Sequence, residues 1–177
     1  MIVAKMHSFN GGMDYMMNNH KELFSEISNV INSTDSTQCK IKISKEKTTT
    51  GKMLYCPSTI NKSFKQCFTK CGWQYEVPLP GKKGKGKGKS IDFFKGTVGV
   101  EVQFGKYAFL TYDMFKFARF YKRNIIECAI EIVPVAIFAK DMSTGVSKYE
   151  DLVEILQDLN TDSCDIFPPM VVIGISG

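Results

Sequence analysis

The sequence predicts an α/β fold with helices on both faces of one mixed β-sheet. Helix and strand patterns alternate along the chain in the order helix, strand, helix, hairpin, helix, strand, helix, strand. A hairpin is antiparallel, whereas the later strands return through helices, so the sheet is mixed. The 177 residues, 44% of them hydrophobic, suffice for one domain with a substantial core. We therefore expect a single domain over residues 1–177, built as a three-layer α/β/α sandwich.

The first half of the chain contains two amphipathic helices and two extended segments. Apolar residues recur at helical spacing from Asp14 to Ile31, and "CKIKIS" (39–44) alternates like a short strand. A second helix begins at Pro57, and Gly72 is placed to end it. The segment "WQYEVPLP" (73–80) is expected to be extended.

The second half supplies most of the sheet. The strands "SIDFF" and "VGVEVQF" flank a short glycine-containing turn at residues 95–97, which predicts a hairpin. A helix over 111–124 follows, then a β-branched run over 128–140 that is typical of a buried central strand, although Pro134 within it argues against a continuous ladder. A helix over 147–160 and a strand over 168–177 complete the order.

The net charge of +5 is concentrated in "GKKGKGKGK" (81–89), where five of nine residues are lysines. Glycine and like charge predict a flexible, solvated loop. Such a run is most often only solvated, but a mobile cationic loop also suits a phosphate backbone. Nucleic acid is therefore the expected partner, and Lys85, Lys87 and Lys89 are candidate DNA contacts.

Composition also sets expectations about location and cysteine chemistry. The sequence has no long apolar run and no secretory signal, so we expect a cytoplasmic protein without membrane contact. The six cysteines are then expected to be reduced thiols. Cys67 and Cys71 lack the spacing and partners of a zinc site.

Two acids and an amide occupy the hairpin. Asp92 precedes Glu101 by nine residues, and Gln103 shares the strand face of Glu101. A solvated strand face is one interpretation, and a divalent-metal site is the other. Two converging carboxylates suit Mg²⁺, which would polarise a phosphodiester and activate water.

The segment "SIDFFKGTVGVEVQFGKYAFL" resembles the active-site segment of the BglII-type restriction endonucleases, within the PD-(D/E)XK nuclease superfamily. That family has Asp, nine residues later Glu, and then Val-Gln-Phe, as in Asp92 and Glu101 to Phe104 here. Most of the superfamily has Lys at the place of Gln103. The upstream "WQYEVPLP" is similar as well, and it brings Glu76 to the position of an accessory residue. The likeness covers most of the chain, with specific motifs from Trp73 to Leu110.

The resemblance implies a restriction-endonuclease-like fold and a type II enzyme, a homodimer that cuts both strands of a short palindromic DNA site with Mg²⁺. It implies that Asp92 and Glu101 bind the metal, with the Val102 carbonyl as a further ligand. Gln103 would position the attacking water, and Glu76 would assist from the edge. A cognate DNA methyltransferase is expected in the host.

The resemblance also suggests a GATC-containing site, but one departure puts the recognition sequence in doubt. The family pattern Phe-Ser-Asn-Tyr is replaced by Phe-Gly105-Lys106-Tyr, and residues at this place lie near DNA in the family. In the family that the segment resembles, a loop at the place of residues 141–149 enters the major groove of DNA. It adds Ser143, Thr144, Ser147 and Lys148 as candidate DNA contacts, although a mere connecting loop is an equal alternative.

Two other functions remain open from the sequence. One is a nuclease of the same fold in repair or methylation-dependent cleavage. The other is a basic DNA-binding protein without catalysis, which predicts salt-sensitive binding but no Mg²⁺-dependent product.

Overall fold

The computed structural model describes residues 1–47, 49–80, 90–159 and 166–177. Its strands are β1 (Ile2–Phe9), β2 (Lys42–Ile43), β3 (Met53–Leu54), β4 (Gln74–Pro78), β5 (Ser90–Lys95), β6 (Val98–Val102), β7 (Cys128–Pro134) and β8 (Met170–Ser176). Its helices are α1 (Gly12–Asn19), α2 (Lys21–Ser33), α3 (Pro57–Lys70), α4 (Ala108–Tyr121), α5 (Ala136–Ala139) and α6 (Tyr149–Leu159).

Six strands form one mixed sheet in the order β1-β8-β7-β6-β5-β4. The central strands β6, β7 and β8 run parallel to one another, and β1, β5 and β4 each pair antiparallel with their neighbours. Every residue of β6 and β7 is buried, as expected for parallel strands covered on both faces. The predicted α/β sandwich around a mixed sheet is therefore confirmed.

The two helical layers can be assigned from side chains on β5 and β6. Phe68 of α3 stacks on Phe93 with ring centroids 4.3 Å apart, and Phe93 pairs with Val100, so α3 covers the Val100 face. Lys116 of α4 reaches Glu101, which points to the opposite face. The α1, α2 and α3 helices pack successively against one another, and α6 packs on β8.

Several local predictions are confirmed. The hairpin of β5 and β6 turns at Gly96, whose φ of 61° favours glycine. The α3 helix begins at Pro57, and Gly72 (φ 81°) follows its end with the backbone bond from Trp73 N to Phe68 O that closes such a terminus.

The helix predicted over 14–31 is wrong as a single element. It is two helices, α1 and α2, separated at His20, whose φ of −142° and ψ of 37° break the helical path. The apolar periodicity continues across the break, because both helices cover the same core.

The strand predicted over 128–140 is too long, and the objection from Pro134 is correct. β7 ends at Pro134, and the chain continues as the short helix α5. Proline has no amide hydrogen to extend the ladder.

Two strands in the first quarter of the chain also differ from expectation. Residues 2–9 form β1, an edge strand that the sequence pattern did not predict, paired with the C-terminal β8. The predicted strand in "CKIKIS" exists, but it pairs with β3 in a separate two-stranded sheet.

Some predictions fall outside the described residues. These are the lysine loop at 81–89, with Lys85, Lys87 and Lys89, and Cys164. Among the described cysteines, Cys39, Cys56, Cys67, Cys71 and Cys128 are free thiols. Within the described ranges, no helix has the length and apolar character needed to span a membrane.

The turn from β1 into α1 depends on the absence of a side chain at Gly12. A Cβ built there would overlap the backbone of Met170 at the start of β8. Strand backbone cannot move without disturbing the ladder, so we expect Gly12→Ala to lower the free energy of unfolding by about 3 kcal/mol. Urea denaturation followed by circular dichroism measures it. Asn18→Ala, an exposed change in the same helix, should stay within about 0.5 kcal/mol of wild type; equal stability of the two variants would contradict this account.

Candidate active site

A row of acidic side chains crosses the middle of the sheet. The register of β5 and β6 pairs Phe93 with Val100, and its continuation brings Asp92 opposite Glu101. The register of β6 and β7 pairs Glu101 with Glu131. Neighbouring side chains in such pairs lie about 5 Å apart on one face. The fold thus brings three carboxyl groups together from three adjacent strands.

Glu76 lies at the end of this row, on the edge strand β4. Register on either side of it pairs Tyr75 with Phe93 and Val77 with Ile91, so Glu76 falls opposite Asp92. Its φ of 51° is left-handed, a conformation that costs a non-glycine residue of order 1–3 kcal/mol. Glu76 is exposed. The sequence-predicted accessory residue is therefore next to the pair of acids, but on the solvent side.

Glu101 is only 2% exposed. Its Oε1 lies 2.6 Å from Lys116 Nζ in an ion pair that lacks hydrogen-bond alignment. Burial, together with the nearby Asp92 carboxylate, holds the pKa of Glu101 well above its usual range despite Lys116. The carboxyl group of Glu101 is costly to ionise in this position unless a cation is close.

Asp92 is half-buried, and its Oδ2 accepts a hydrogen bond of 3.1 Å from the backbone N–H of Val102. Burial raises the pKa of Asp92, although the Lys116 charge and the Val102 bond act in the opposite direction. The hydrogen bond directs the Asp92 side chain across the hairpin toward the end of β6. Val102 itself is buried and ends that strand.

The Gln103 side chain is held at both ends. Its Oε1 accepts a 2.8 Å bond from Gly105 N, and its Nε2 donates to Asp113 Oδ2. The backbone N–H of Gln103 donates to Ile132 O over 2.9 Å. These partners identify which end of the amide is oxygen and which is nitrogen, and they fix the orientation of the side chain.

Glu131 is the most deeply buried acid, at 1% exposed, and neither of its carboxyl oxygens has a hydrogen-bond partner among the described residues. Burial, followed by the charges of Asp113 and Glu101, raises its pKa well above the ordinary value. Ionisation of Glu131 is therefore disfavoured in the folded protein.

Sequence reasoning did not place three of these charged residues in the site, namely Asp113 and Lys116 of α4 and Glu131 of β7; Lys116 was expected on a basic helix edge facing solvent, DNA or a second subunit, but it is buried against Glu101. A signal existed for Glu131, because it is the one charged residue within the otherwise apolar run "CAIEIVPV". Asp113 and Lys116 are three residues apart and hence on one helical side, but nothing in the pattern shows that this side meets the hairpin.

The donors present fit a magnesium ion. Mg²⁺ takes one or two carboxylates and keeps several waters, and Asp92 and Glu101 converge with the excess negative charge such an ion would offset. Within the described ranges, no group of three or more His, Cys, Asp or Glu side chains is placed to hold a metal ion, so the fit rests on the two carboxylates.

The predicted DNA contacts near Gly105 and the loop at 141–149 are brought together. Lys106 is exposed, and its backbone bridges to Val146. Ser147 is fully buried, and both its N–H and its hydroxyl donate to Gly105 O, over 2.8 and 2.9 Å. Ser147 therefore holds the two segments together and does not reach a base edge in this structure.

The remaining candidates on this loop stay accessible. Thr144 is exposed, with its backbone N–H on the Glu46 carboxylate at 3.2 Å. Ser143 is half-buried, and its hydroxyl accepts from Lys42. Lys148 pairs with Asp151 at 3.6 Å and keeps 43% of its side chain exposed.

The buried Glu131 carboxyl predicts a specific pH dependence of stability. Its folded pKa lies above the ordinary value of 4.5, so the unfolded chain releases this proton first as the pH rises. Stability is then lost above about pH 4.5, by up to about 1.4 kcal/mol per pH unit, until the folded pKa is reached. Glu131→Gln should remove this loss, so the free energy of unfolding of the variant should gain on that of wild type as the pH rises. Urea denaturation across pH 4 to 8 in EDTA measures it.

The exposed Glu22 provides the matched control. Glu22→Gln should leave the dependence of stability on pH as in wild type. Parallel curves for wild type and Glu131→Gln would mean that Glu131 is ionised in the folded protein, against the environment described above.

Comparison with known proteins finds a matching family and similar solved structures. The family described as restriction endonuclease BglII/BglIII matches residues 4–175 of the chain. The crystal structure of BglII complexed with a DNA 16-mer superposes with a TM-score of 0.83 and 22% identity over 98% of this chain and 76% of that one. Free BglII gives a TM-score of 0.69 and 20% identity over 98% and 79%. No curated protein sequence matches the chain.

The family match spans the hairpin with Asp92 and Glu101, the loop beyond it and the parallel strands behind it. It confirms the resemblance inferred from those residues, and it favours an enzyme over a non-catalytic DNA-binding protein. The chain belongs to the BglII/BglIII family of restriction endonucleases and is a type II site-specific endonuclease that cleaves DNA.

Proposed function

We propose that this endonuclease requires Mg²⁺, acts as a homodimer and makes double-strand cuts at a short palindromic DNA site. The observation that carries the proposal is the register that brings Asp92 opposite Glu101, beside the fixed amide of Gln103. Asp92, Glu101 and the carbonyl of Val102 would hold the ion. When bound, Mg²⁺ polarises the scissile phosphate and stabilises the departing oxyanion.

Gln103 is suited to orient the attacking water. Gly105 N uses one lone pair of Oε1, and Asp113 uses one N–H of Nε2. An amide has two acceptor and two donor positions, so one of each remains for a water molecule. A neutral amide accepts and donates hydrogen bonds but takes up no proton at neutral pH, so Gln103 orients water and is not the base.

Glu76 would assist from the edge of the row. It is exposed and falls opposite Asp92, which places it within reach of waters around an ion held by Asp92. Its left-handed backbone interrupts the pairing of β4 with β5 at this residue alone, and a strained residue of this kind is frequent at functional sites.

The DNA would lie over the surface formed by Gly105, Lys106 and the loop at 141–148. Lys106 is exposed and linked to that loop through Val146. Ser143, Thr144 and Lys148 are the further candidates there. Lys85, Lys87 and Lys89 are candidates from their charge in the sequence alone. The likeness to BglII complexed with a DNA 16-mer supports this proposal.

A homodimer would match a palindromic site, because a two-fold axis in the protein then coincides with one in the DNA. Support comes from α4, on which the aromatic side chains of Phe109, Tyr112 and Phe115 are 48%, 43% and 55% exposed. Aromatic surface of this extent is typical of an interface. We further propose a GATC-containing site and a host methyltransferase that protects it.

Loss of either metal-binding carboxylate should abolish cleavage. Asp92→Asn and Glu101→Gln keep the shape of each side chain but remove its charge, and each should reduce the cleavage rate of plasmid DNA in Mg²⁺ by roughly a thousandfold. Circular dichroism checks that both variants fold. Asp14→Asn, an exposed acid in α1, is the control and should cut like wild type. Wild-type cleavage by either site variant would refute the assignment.

Lys106→Met tests whether this lysine reads a base or a phosphate. If it binds a guanine edge, discrimination at one base pair should fall by about 1–3 kcal/mol, seen by sequencing the fragment ends of a genomic digest. If it binds phosphate, the cut sequence should stay the same while the slope of log affinity against log salt falls by about 1. Lys62→Met, an exposed change on α3, should alter neither. A Lys106→Met enzyme unchanged in both measurements would show that Lys106 does not contact DNA.

A further inference from the structure

Two charged residues of α4 lie buried against the sheet. Asp113 and Lys116 are 3% and 8% exposed, on a helix whose other inward residues are apolar. Burying charge is costly unless each group is paired. Both are paired, and their partners are the two polar residues of the β6 segment, Glu101 and Gln103.

The contacts form one continuous path. Lys116 Nζ lies 2.6 Å from Glu101 Oε1 and 2.8 Å from Asp113 Oδ1. The other oxygen of Asp113 accepts from Gln103 Nε2, and Gln103 Oε1 accepts from Gly105 N over 2.8 Å. Asp113 thus uses its two oxygens for different tasks, one on the lysine and one on the glutamine.

Lys116 is also the cation that balances the acid row. Among the described residues, no other lysine, arginine or histidine forms an ion pair with Asp92, Glu101, Asp113 or Glu131. Without Lys116, the Glu101 carboxylate would face Asp92 and Asp113 with no positive charge in contact. A metal ion held by Asp92 and Glu101 would supply positive charge at the same place.

We propose that Asp113 and Lys116 are positioning residues of the active site: Asp113 orients the amide of Gln103, and Lys116 is the counter-ion of Glu101 that a divalent cation replaces. This inference rests on the proposed role of Glu101 as a metal ligand. An ammonium 2.6 Å from Oε1 and a divalent ion held by the same carboxylate would repel each other, so Lys116 would withdraw from Glu101 when the ion binds. Lys116 would keep its existing contact with Asp113 Oδ1.

Competition between Lys116 and the metal ion for Glu101 predicts an effect on metal affinity that a purely structural lysine would not have. Lys116→Met removes the competitor of the metal, so affinity for a divalent cation should rise, by on the order of tenfold, while the thermal stability of the metal-free protein falls. Isothermal titration calorimetry with Ca²⁺ as the probe measures the affinity without any need for cleavage. Lys116→Arg keeps the charge and should hold the affinity near that of wild type.

A second variant tests the Gln103 branch. Asp113→Asn keeps a side-chain oxygen near Gln103 but removes the charge that holds Lys116, and Asp113→Leu removes both. We expect kcat for Mg²⁺-dependent cleavage to fall by about tenfold in Asp113→Asn and further in Asp113→Leu, with KM for DNA little changed. A rise in KM with constant kcat would assign Asp113 to DNA binding and overturn its positioning role.

Lys95 offers a matched control on the same sheet. It too is a partly buried lysine, with Nζ 2.8 Å from both oxygens of Glu26, at the turn end of β5. Lys95→Met should lower stability and leave the Ca²⁺ affinity unchanged. An affinity for Ca²⁺ in Lys116→Met that equals or falls below that of wild type would overturn the proposal.

Titrating Ca²⁺ into Glu101→Gln as well as Lys116→Met separates this inference from the proposed function on which it rests. If Glu101→Gln binds Ca²⁺ as tightly as wild type, Glu101 is no ligand and the proposed metal site fails. If Glu101→Gln loses binding but Lys116→Met gains none, the metal site stands and the counter-ion role fails. Should Lys116→Met not fold without metal, Lys116→Gln replaces it in the titration, with the same two outcomes.

Discussion

The in-register alignment of β5, β6 and β7 is the constraint on which the rest of the site depends. It sets Asp92, Glu101 and Glu131 side by side in one row. Like charges at this spacing repel, and their burial removes the water that would screen them. The fold therefore has to disfavour ionisation of some of these acids or bring a cation to them, and it does both: the pKa values of Glu131 and Glu101 are raised, and Lys116 forms an ion pair with Glu101.

This requirement decides how α4 packs. A helix with so many aromatic residues has more than one apolar side to offer the sheet, and three of its aromatic side chains remain exposed. Only the side with Asp113 and Lys116 matches Glu101 and Gln103 in charge and hydrogen bonding. Since breaking a buried ion pair is strongly destabilising, the polar contacts fix the rotation of α4, and hydrophobic burial alone does not.

The sequence predicted those parts of the fold and site that arise from local patterns. The hairpin, its Gly96 turn and the positions of Asp92, Glu101 and Gln103 follow from alternation over a few residues. β1 was missed because its partner, β8, lies at the other end of the chain. The places of Glu131 and Lys116 in the site were not predicted for the same reason, because a parallel register and the rotation of a helix are set by packing between distant segments.

Gly105 shows how the proposed DNA surface and the catalytic amide are kept in one geometry. Its N–H donates to Gln103 Oε1, and its carbonyl accepts both bonds from Ser147. A Cβ at this residue would lie 2.6 Å from Gln103 Oε1 and 2.9 Å from the Phe109 ring, so no other residue fits without displacing the amide. The sequence offered Gly105 as a DNA contact because Gly105 and Lys106 replace a pair of residues that lies near DNA in the family. The backbone of Gly105 also has a structural role, because it sets the distance between the loop that would meet DNA and the side chain that would orient water.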